Sequence, residues 1–196
     1  MLGKLNYKRV INLNGLNFNI LEENRNNKNG TILLLHGFPE LSYSFRKIIP
    51  LLSKQGFHVL APDQRGYGLT QGWQNSINNL DSFNITNLAK DVILLINRLQ
   101  LKPPIHIVGH DFGSFVASYC SLLNPNLFTS LILMSAPFAG PLTYKVINSE
   151  GYVSLNTLNL SLNRAPYFKK HYQIYFSSQK ANHDIMNCKQ GIHSFL

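Results

Sequence analysis

Apolar and polar positions divide this chain into short runs with different periods. Residues Tyr7 to Asn12 and Leu16 to Leu21 flank Asn14-Gly15, a pair that favours the two-residue hairpin turn because both positions accept positive φ. An antiparallel strand pair is therefore expected first. Thr31 to Leu35, Phe57 to Ala61, Pro104 to Gly109 and Phe128 to Met134 are further strand-like apolar runs, of the kind buried inside a sheet. Between them, Asn87 to Gln100 sets Leu88, Val92, Leu95, Ile96 and Leu99 on one helical face, with Thr86 as its expected N-cap. This alternation predicts an α/β fold: a mostly parallel sheet with an antiparallel N-terminal hairpin, covered by helices on both faces. Sites in such sheets lie at the carboxyl ends of the strands, where His36, Asp63 and Asp111 fall.

One of those ends carries a chemical signal. Val108-Gly109-His110-Asp111-Phe112-Gly113 puts a carboxylate where a strand turns sharply into a helix, and flanking glycines let strand and helix draw close. A carboxylate nucleophile attacks an alkyl carbon and leaves an ester on the protein. The alternative is that Asp111 only caps the helix that opens at Phe112. Upstream, His36-Gly37-Phe38-Pro39 ends the run Thr31 to Leu35 in a tight loop. In this architecture an oxyanion hole takes one backbone N–H from the residue after the nucleophile, here Phe112, and one from this loop, here Phe38. His36 reads as a buried hydrogen-bonding group and Pro39 as a turn former, compatible with a cis peptide. Asp63 and Arg65, beside two glycines, read as a charged loop pair that fixes a turn.

His36-Gly37-Phe38-Pro39-Glu40, then Asp63-Gln64-Arg65-Gly66-Tyr67-Gly68, then Gly109-His110-Asp111-Phe112-Gly113 follow in order. In these motifs the chain resembles the α/β-hydrolase superfamily and, within it, the epoxide hydrolase branch. The likeness continues through Met134-Ser135-Ala136-Pro137-Phe138 and His171-Tyr172-Gln173-Ile174-Tyr175-Phe176, from about Lys8 to the last residue. It implies an α/β-hydrolase core over 1–137 followed by a helical cap over 138–196, without a cofactor. The implied activity is that of a hydrolase opening a small hydrophobic epoxide through an ester on Asp111, with Phe38 and Phe112 N–H groups as the oxyanion hole. Tyr172 matches the family's cap tyrosine, the acid that donates to the epoxide oxygen. Its phenol suits the role, since an ordinary pKa near 10 keeps it protonated at neutral pH. His36, Pro39 and Gln173 are expected to line the substrate pocket. The competing reading is a helix that packs Tyr167, His171, Tyr172, Tyr175 and Phe176 against a core, and for Tyr175 packing is the expectation.

Departures from the family pattern sharpen the expectation. Many relatives carry Trp after the nucleophile, and in haloalkane dehalogenases its indole holds the departing halide; Phe112 points away from that chemistry. Trp73 is expected to be solvent-exposed or in contact with the cap. A hydrolase of this design needs a histidine and an acid after the nucleophile. None of His36, His58, His106, His110, His171, His183 and His193 matches the family's base, and the sequence stops at Leu196 inside an expected cap helix, Cys188 to Leu196. The chain is thus expected to be a truncated product with an incomplete cap and without the last strands. Phe128 to Met134 would then form an apolar sheet edge that invites self-association. Two alternatives accompany this reading: a haloacid dehalogenase-like hydrolase using the same aspartate, and a non-catalytic fragment or binding protein.

Composition narrows the partners. At 196 residues the chain can bury a substantial core. Its formal charge of +9, from 18 basic and 9 acidic residues, is spread out, never more than two basic residues together, so no nucleic-acid partner is expected. No segment has the apolar length of a membrane span or the pattern of a signal peptide. Cys120 and Cys188 have no disulfide or metal spacing, which with the missing signal implies a reduced, cytoplasmic compartment. The sequons at Asn29, Asn84 and Asn159 are then chance matches. There is no P-loop, dinucleotide fingerprint, metal cluster or repeat.

Overall fold

Asn14 and Gly15, at φ 52° and 76°, close the expected hairpin: strand β1 (Asn6–Leu13) pairs antiparallel with β2 (Leu16–Glu23), with Leu13 opposite Leu16. The computed structural model describes residues 6–26, 28–74, 81–136, 138, 175–176 and 178–191. The chain divides into two compact units, Met1–Ala139 and Gly140–Leu196.

In the first unit the apolar runs become β3 (Thr31–Leu35), β4 (His58–Pro62), β5 (Ile105–His110) and β6 (Ser130–Met134), within two residues of their expected starts. The sheet order is β1-β2-β4-β3-β5-β6. β1 pairs antiparallel with β2 and β2 antiparallel with β4, while β4, β3, β5 and β6 are mutually parallel. This is the mixed sheet the sequence implies.

Continuous apolar character in β3 has a direct structural cause. Leu33 and Leu35 pack with Leu88, Val92, Leu95 and Ile96 of the helix Ile85–Arg98, and with Val116, Ala117 and Cys120 of the helix Phe112–Leu123. Ile32 and Leu34 point to the other face, against Phe45 of a 3-10 helix (Ser42–Lys47) and Ile49 of α1 (Ile49–Lys54). We label the two longer helices α2 (Ile85–Arg98) and α3 (Phe112–Leu123). Both faces are covered, so period-two alternation has no reason to appear. Near the amino end of β4, Nε2 of His58 lies 2.9 Å from Oε1 of Glu22, both buried, tying β4 to β2.

Three local expectations are corrected and one, the structural role of Asp63 and Arg65, holds. α2 begins at Ile85, and its N-cap is Asn84, whose Oδ1 accepts from the N–H of Thr86 at 3.1 Å; two cap-competent residues stand close together, and the earlier one takes the cap. Trp73 is half-buried against the core and not solvent-exposed: its indole N–H donates to the carbonyl of Thr70 at 3.0 Å and its ring meets Phe83 edge-on. Asp63 and Arg65 hold structure as expected, each through its own partners. Asp63 accepts from Asn19, Ser42 and Leu69, whereas Arg65 forms a two-point bond to Asp91 on α2, at 2.7 and 2.8 Å. In the second unit helix α4 is Gln179–Met186, ahead of the expected Cys188 to Leu196. Asn187 closes it by donating from its side chain to the carbonyl of His183 at 2.8 Å, and residues 192–196 lie outside the described residues.

β6 forms one edge of the sheet among the described residues. Its residues Leu131, Ile132 and Met134 are 39%, 51% and 37% exposed. An apolar groove of about 350 Å³ runs beside it, lined by Ile32, Leu34, Phe45, Val108, Ile132 and Met134 among others.

Candidate active site

The strand-to-helix turn between β5 and α3 is built on a backbone conformation that side chains rarely adopt. Asp111 has φ 49° and ψ −118°, a position whose strain costs about 1–3 kcal/mol and which its neighbours must enforce. They do so from both sides. The N–H of Asp111 donates to the carbonyl of Met134 at 2.9 Å, and its own carbonyl accepts from the N–H of Ser114 at 2.9 Å. Ser114, fully buried, turns its hydroxyl to the carbonyl of Gly109 at 2.8 Å. Close approach also needs Gly113, where a Cβ would stand 2.6 Å from the carbonyl oxygen of His36.

Asp111 occupies the N-cap position of α3 but makes no side-chain capping bond. Its Oδ1 instead accepts from the N–H of Phe38 at 3.1 Å. That donor belongs to the loop after β3, which carries a cis Phe38-Pro39 peptide and turns tightly enough for the N–H of Glu40 to reach the carbonyl of Gly37 at 3.1 Å. Phe112 opens α3, so its N–H is among the first-turn donors that have no partner within the helix. Phe38 and Phe112 are 39% and 37% exposed, and Pro39 is exposed as well.

His36 is fully buried, and both of its ring nitrogens are engaged. The N–H of Gln64 donates to Nε2 at 3.1 Å. Nε2 is therefore the unprotonated nitrogen, and Nδ1 donates to the carbonyl of Gly37 at 2.9 Å. Burial pushes the imidazole below its ordinary pKa, against smaller opposing effects of the Gly37 bond and the Asp63 and Glu40 carboxylates. A neutral, doubly bonded ring of this kind holds the loop and does not shuttle protons.

The roles of four further residues were not legible in the motifs. Glu40 and His110 pair across the site, Oε2 to Nδ1 at 3.2 Å, with both side chains partly exposed. The Tyr67 ring stands edge-on to His36 at 4.9 Å; burial first, and the Asp111 charge second, push its phenol up, so it stays protonated. Gln64 grips His36 from the β4 side, at the carbonyl as well as the ring. All four lie inside the quoted motifs, but only the strand order brings them together.

Tyr172 and Gln173 lie outside the described residues. Their neighbour Tyr175, expected to pack, donates from its hydroxyl to Oδ2 of Asp184 on α4 at 2.7 Å, and its ring meets Phe176 edge-on. Among the described residues no group of three His, Cys, Asp or Glu side chains is placed to hold a metal ion, and no helix is long and apolar enough to cross a membrane.

Comparison with known proteins adds a family context. The profile of the alpha/beta hydrolase fold matches residues 30–183. Epoxide hydrolase A of Mycobacterium tuberculosis is 33% identical over 130 residues, 66% of this chain and 38% of that protein. The AB hydrolase superfamily protein YfhM of Bacillus subtilis is 35% identical over 129 residues, 66% of this chain and 43% of that one. Among solved structures, epoxide hydrolase VrEH1 from Vigna radiata superposes with a TM-score of 0.73 at 27% identity, over 97% of this chain and 53% of its own. A laboratory-evolved variant of a potato epoxide hydrolase gives 0.63 at 36% identity, over 69% of this chain and 41% of its own. The chain thus spans about two-fifths of the length of the curated relatives it matches.

Proposed function

We propose, for a chain that belongs to the α/β-hydrolase family, that Asp111 is the nucleophile of an epoxide-opening hydrolase acting on a small hydrophobic substrate. The observation that carries this reading is the Phe38 N–H on Oδ1 of Asp111 at 3.1 Å, across a strained turn that presents a carboxylate. Similarity to proteins named epoxide hydrolases supports the substrate class.

In this reading Oδ1 is held by Phe38 and Oδ2 attacks. A lone pair on Oδ2 forms a bond to an epoxide carbon, that carbon's bond to the epoxide oxygen breaks, and the oxygen takes the proton of the Tyr172 phenol. The products are an alkyl ester on Asp111 and a phenolate. Fixing one carboxylate oxygen aims the other, which contributes orientation. When water later attacks the ester carbonyl, the Phe38 and Phe112 N–H groups receive the oxyanion. That water needs a general base, and His36, neutral and bonded at both nitrogens, does not supply one. Pro39, exposed on the loop beside Asp111, is assigned to the substrate side of that loop and Gln173 to the cap side, while His36, fully buried, supports the loop from behind.

Intact-protein mass spectrometry after incubation with excess styrene oxide tests this. One epoxide equivalent is expected on the chain and none on Asp111→Asn. Equal labelling of both proteins, or none of either, contradicts the proposal, and halide release from a haloacid without reaction of the epoxide favours the dehalogenase alternative.

A further inference from the structure

We infer that Gln64 is a positioning residue for the oxyanion donor of Phe38, acting through the backbone of His36; this rests on the reading of Asp111 as nucleophile. Gln64 follows the carboxyl end of β4, which lies beside β3 in the sheet, and is 5% exposed. Its side-chain amide Nε2 donates to the carbonyl of His36 at 2.6 Å, and its backbone N–H donates to Nε2 of the His36 ring at 3.1 Å. Its own carbonyl accepts from the N–H of Tyr67 at 3.0 Å, closing the turn that holds it. One residue thus grips His36 at two points, the ring and the carbonyl.

The gripped carbonyl is where three segments meet. On its other side lies the first turn of α3, at Gly113, whose missing Cβ would stand 2.6 Å from the same oxygen. Two residues further on, the loop presents the Phe38 N–H to Asp111, and between them Gly37 lies directly against the Asp111 side chain. Any slackening at His36 is therefore transmitted over two peptide units to the donor. Stiff, short linkage of this kind is what positions a reacting group, and small displacements reduce rates steeply.

Packing does not explain the choice of glutamine. Oε1 of Gln64 is buried with no hydrogen-bond partner among the described residues. A methionine or leucine would fill the same volume without burying an unpaired acceptor. The side chain tolerates one unpaired oxygen in order to place its N–H₂ on the His36 carbonyl.

The test follows ester formation on the full chain with styrene oxide, by mass spectrometry, over a range of epoxide concentrations. Gln64→Met is expected to lower the maximal rate about tenfold with the half-saturating concentration unchanged, because the pocket wall is not altered. Thr70→Val, on the same loop, loses bonds to Asn19 and Asp63 at 3.0 and 2.6 Å and is expected to lower Tm without changing that rate. Ester formation by Gln64→Met at the wild-type rate overturns the inference, as does an equal loss of rate in Thr70→Val. Should Gln64→Met fail to fold, Gln64→Glu, which keeps the shape and removes the donor, carries the same expectations. A wild-type chain that forms no ester overturns the reading of Asp111 instead, and the Phe38 amide proton resonance then decides on Gln64. An upfield move of that resonance in the variant upholds the inference, and an unmoved resonance overturns it.

Discussion

Gly37 lies so close to Asp111 that a Cβ on the glycine would stand 2.5 Å from the aspartate Cβ and 2.8 Å from its Oδ1. The loop after β3 is therefore seated on the side chain of the proposed nucleophile. Gly37→Ala is expected to displace the carboxylate, slow ester formation about a hundredfold and destabilise the fold by about 1–3 kcal/mol. Mass spectrometry of the adduct and urea unfolding measure the two effects separately; an unchanged rate would contradict the packing described.

His36 gives the fold a defined pH response. Burial lowers its pKa in the folded protein, so the neutral ring is favoured by folding. The stability it contributes is full above its unfolded value of about 6.5 and is lost as pH falls through the lowered folded value. Protonation would also set an N–H at Nε2 against the N–H of Gln64. Urea midpoints of wild type and His36→Gln, measured downward from about pH 7, should converge as pH falls, and a constant difference contradicts this account.

Arg65 and Asp91 form a pair with side chains 9% and 3% exposed, and Asp91 also accepts from Asn14 at 3.1 Å. Removing the guanidinium leaves a buried carboxylate with too few partners. Arg65→Met is expected to destabilise by about 3–5 kcal/mol, and addition of Asp91→Leu to restore much of that. Chemical unfolding of the two variants gives the comparison.

Much of the fold was legible because its signals are local. Asn14-Gly15 marks its own turn, and the α2 stripe from Leu88 to Leu99 names its buried face, since each pattern depends on residues within a few positions. The elbow at Asp111 was legible for the same reason. What escaped depends on strand order. Nothing in the sequence says that Gln64 meets His36, 28 residues away, or that Arg65 seeks Asp91, 26 residues away, because only the adjacency of β4 and β3 and the docking of α2 create those contacts. The α2 cap was misplaced for a different reason, since Asn84 and Thr86 are both competent and the choice rests on where the helix backbone begins.

The exposed strand β6, with Ile132 51% exposed beside an apolar groove, is expected to make the chain associate with itself as concentration rises. Ile132→Lys should reduce that association, measured by sedimentation velocity. Identical concentration dependence in wild type and variant would place the association elsewhere.

The most direct test of the central claim is the location of the ester. Styrene oxide-treated protein, digested and sequenced by tandem mass spectrometry, is predicted to carry its modification on Asp111, within the peptide that holds Gly109-His110-Asp111-Phe112-Gly113. Modification of Glu40, His110 or another side chain, with Asp111 unmodified, would contradict the account.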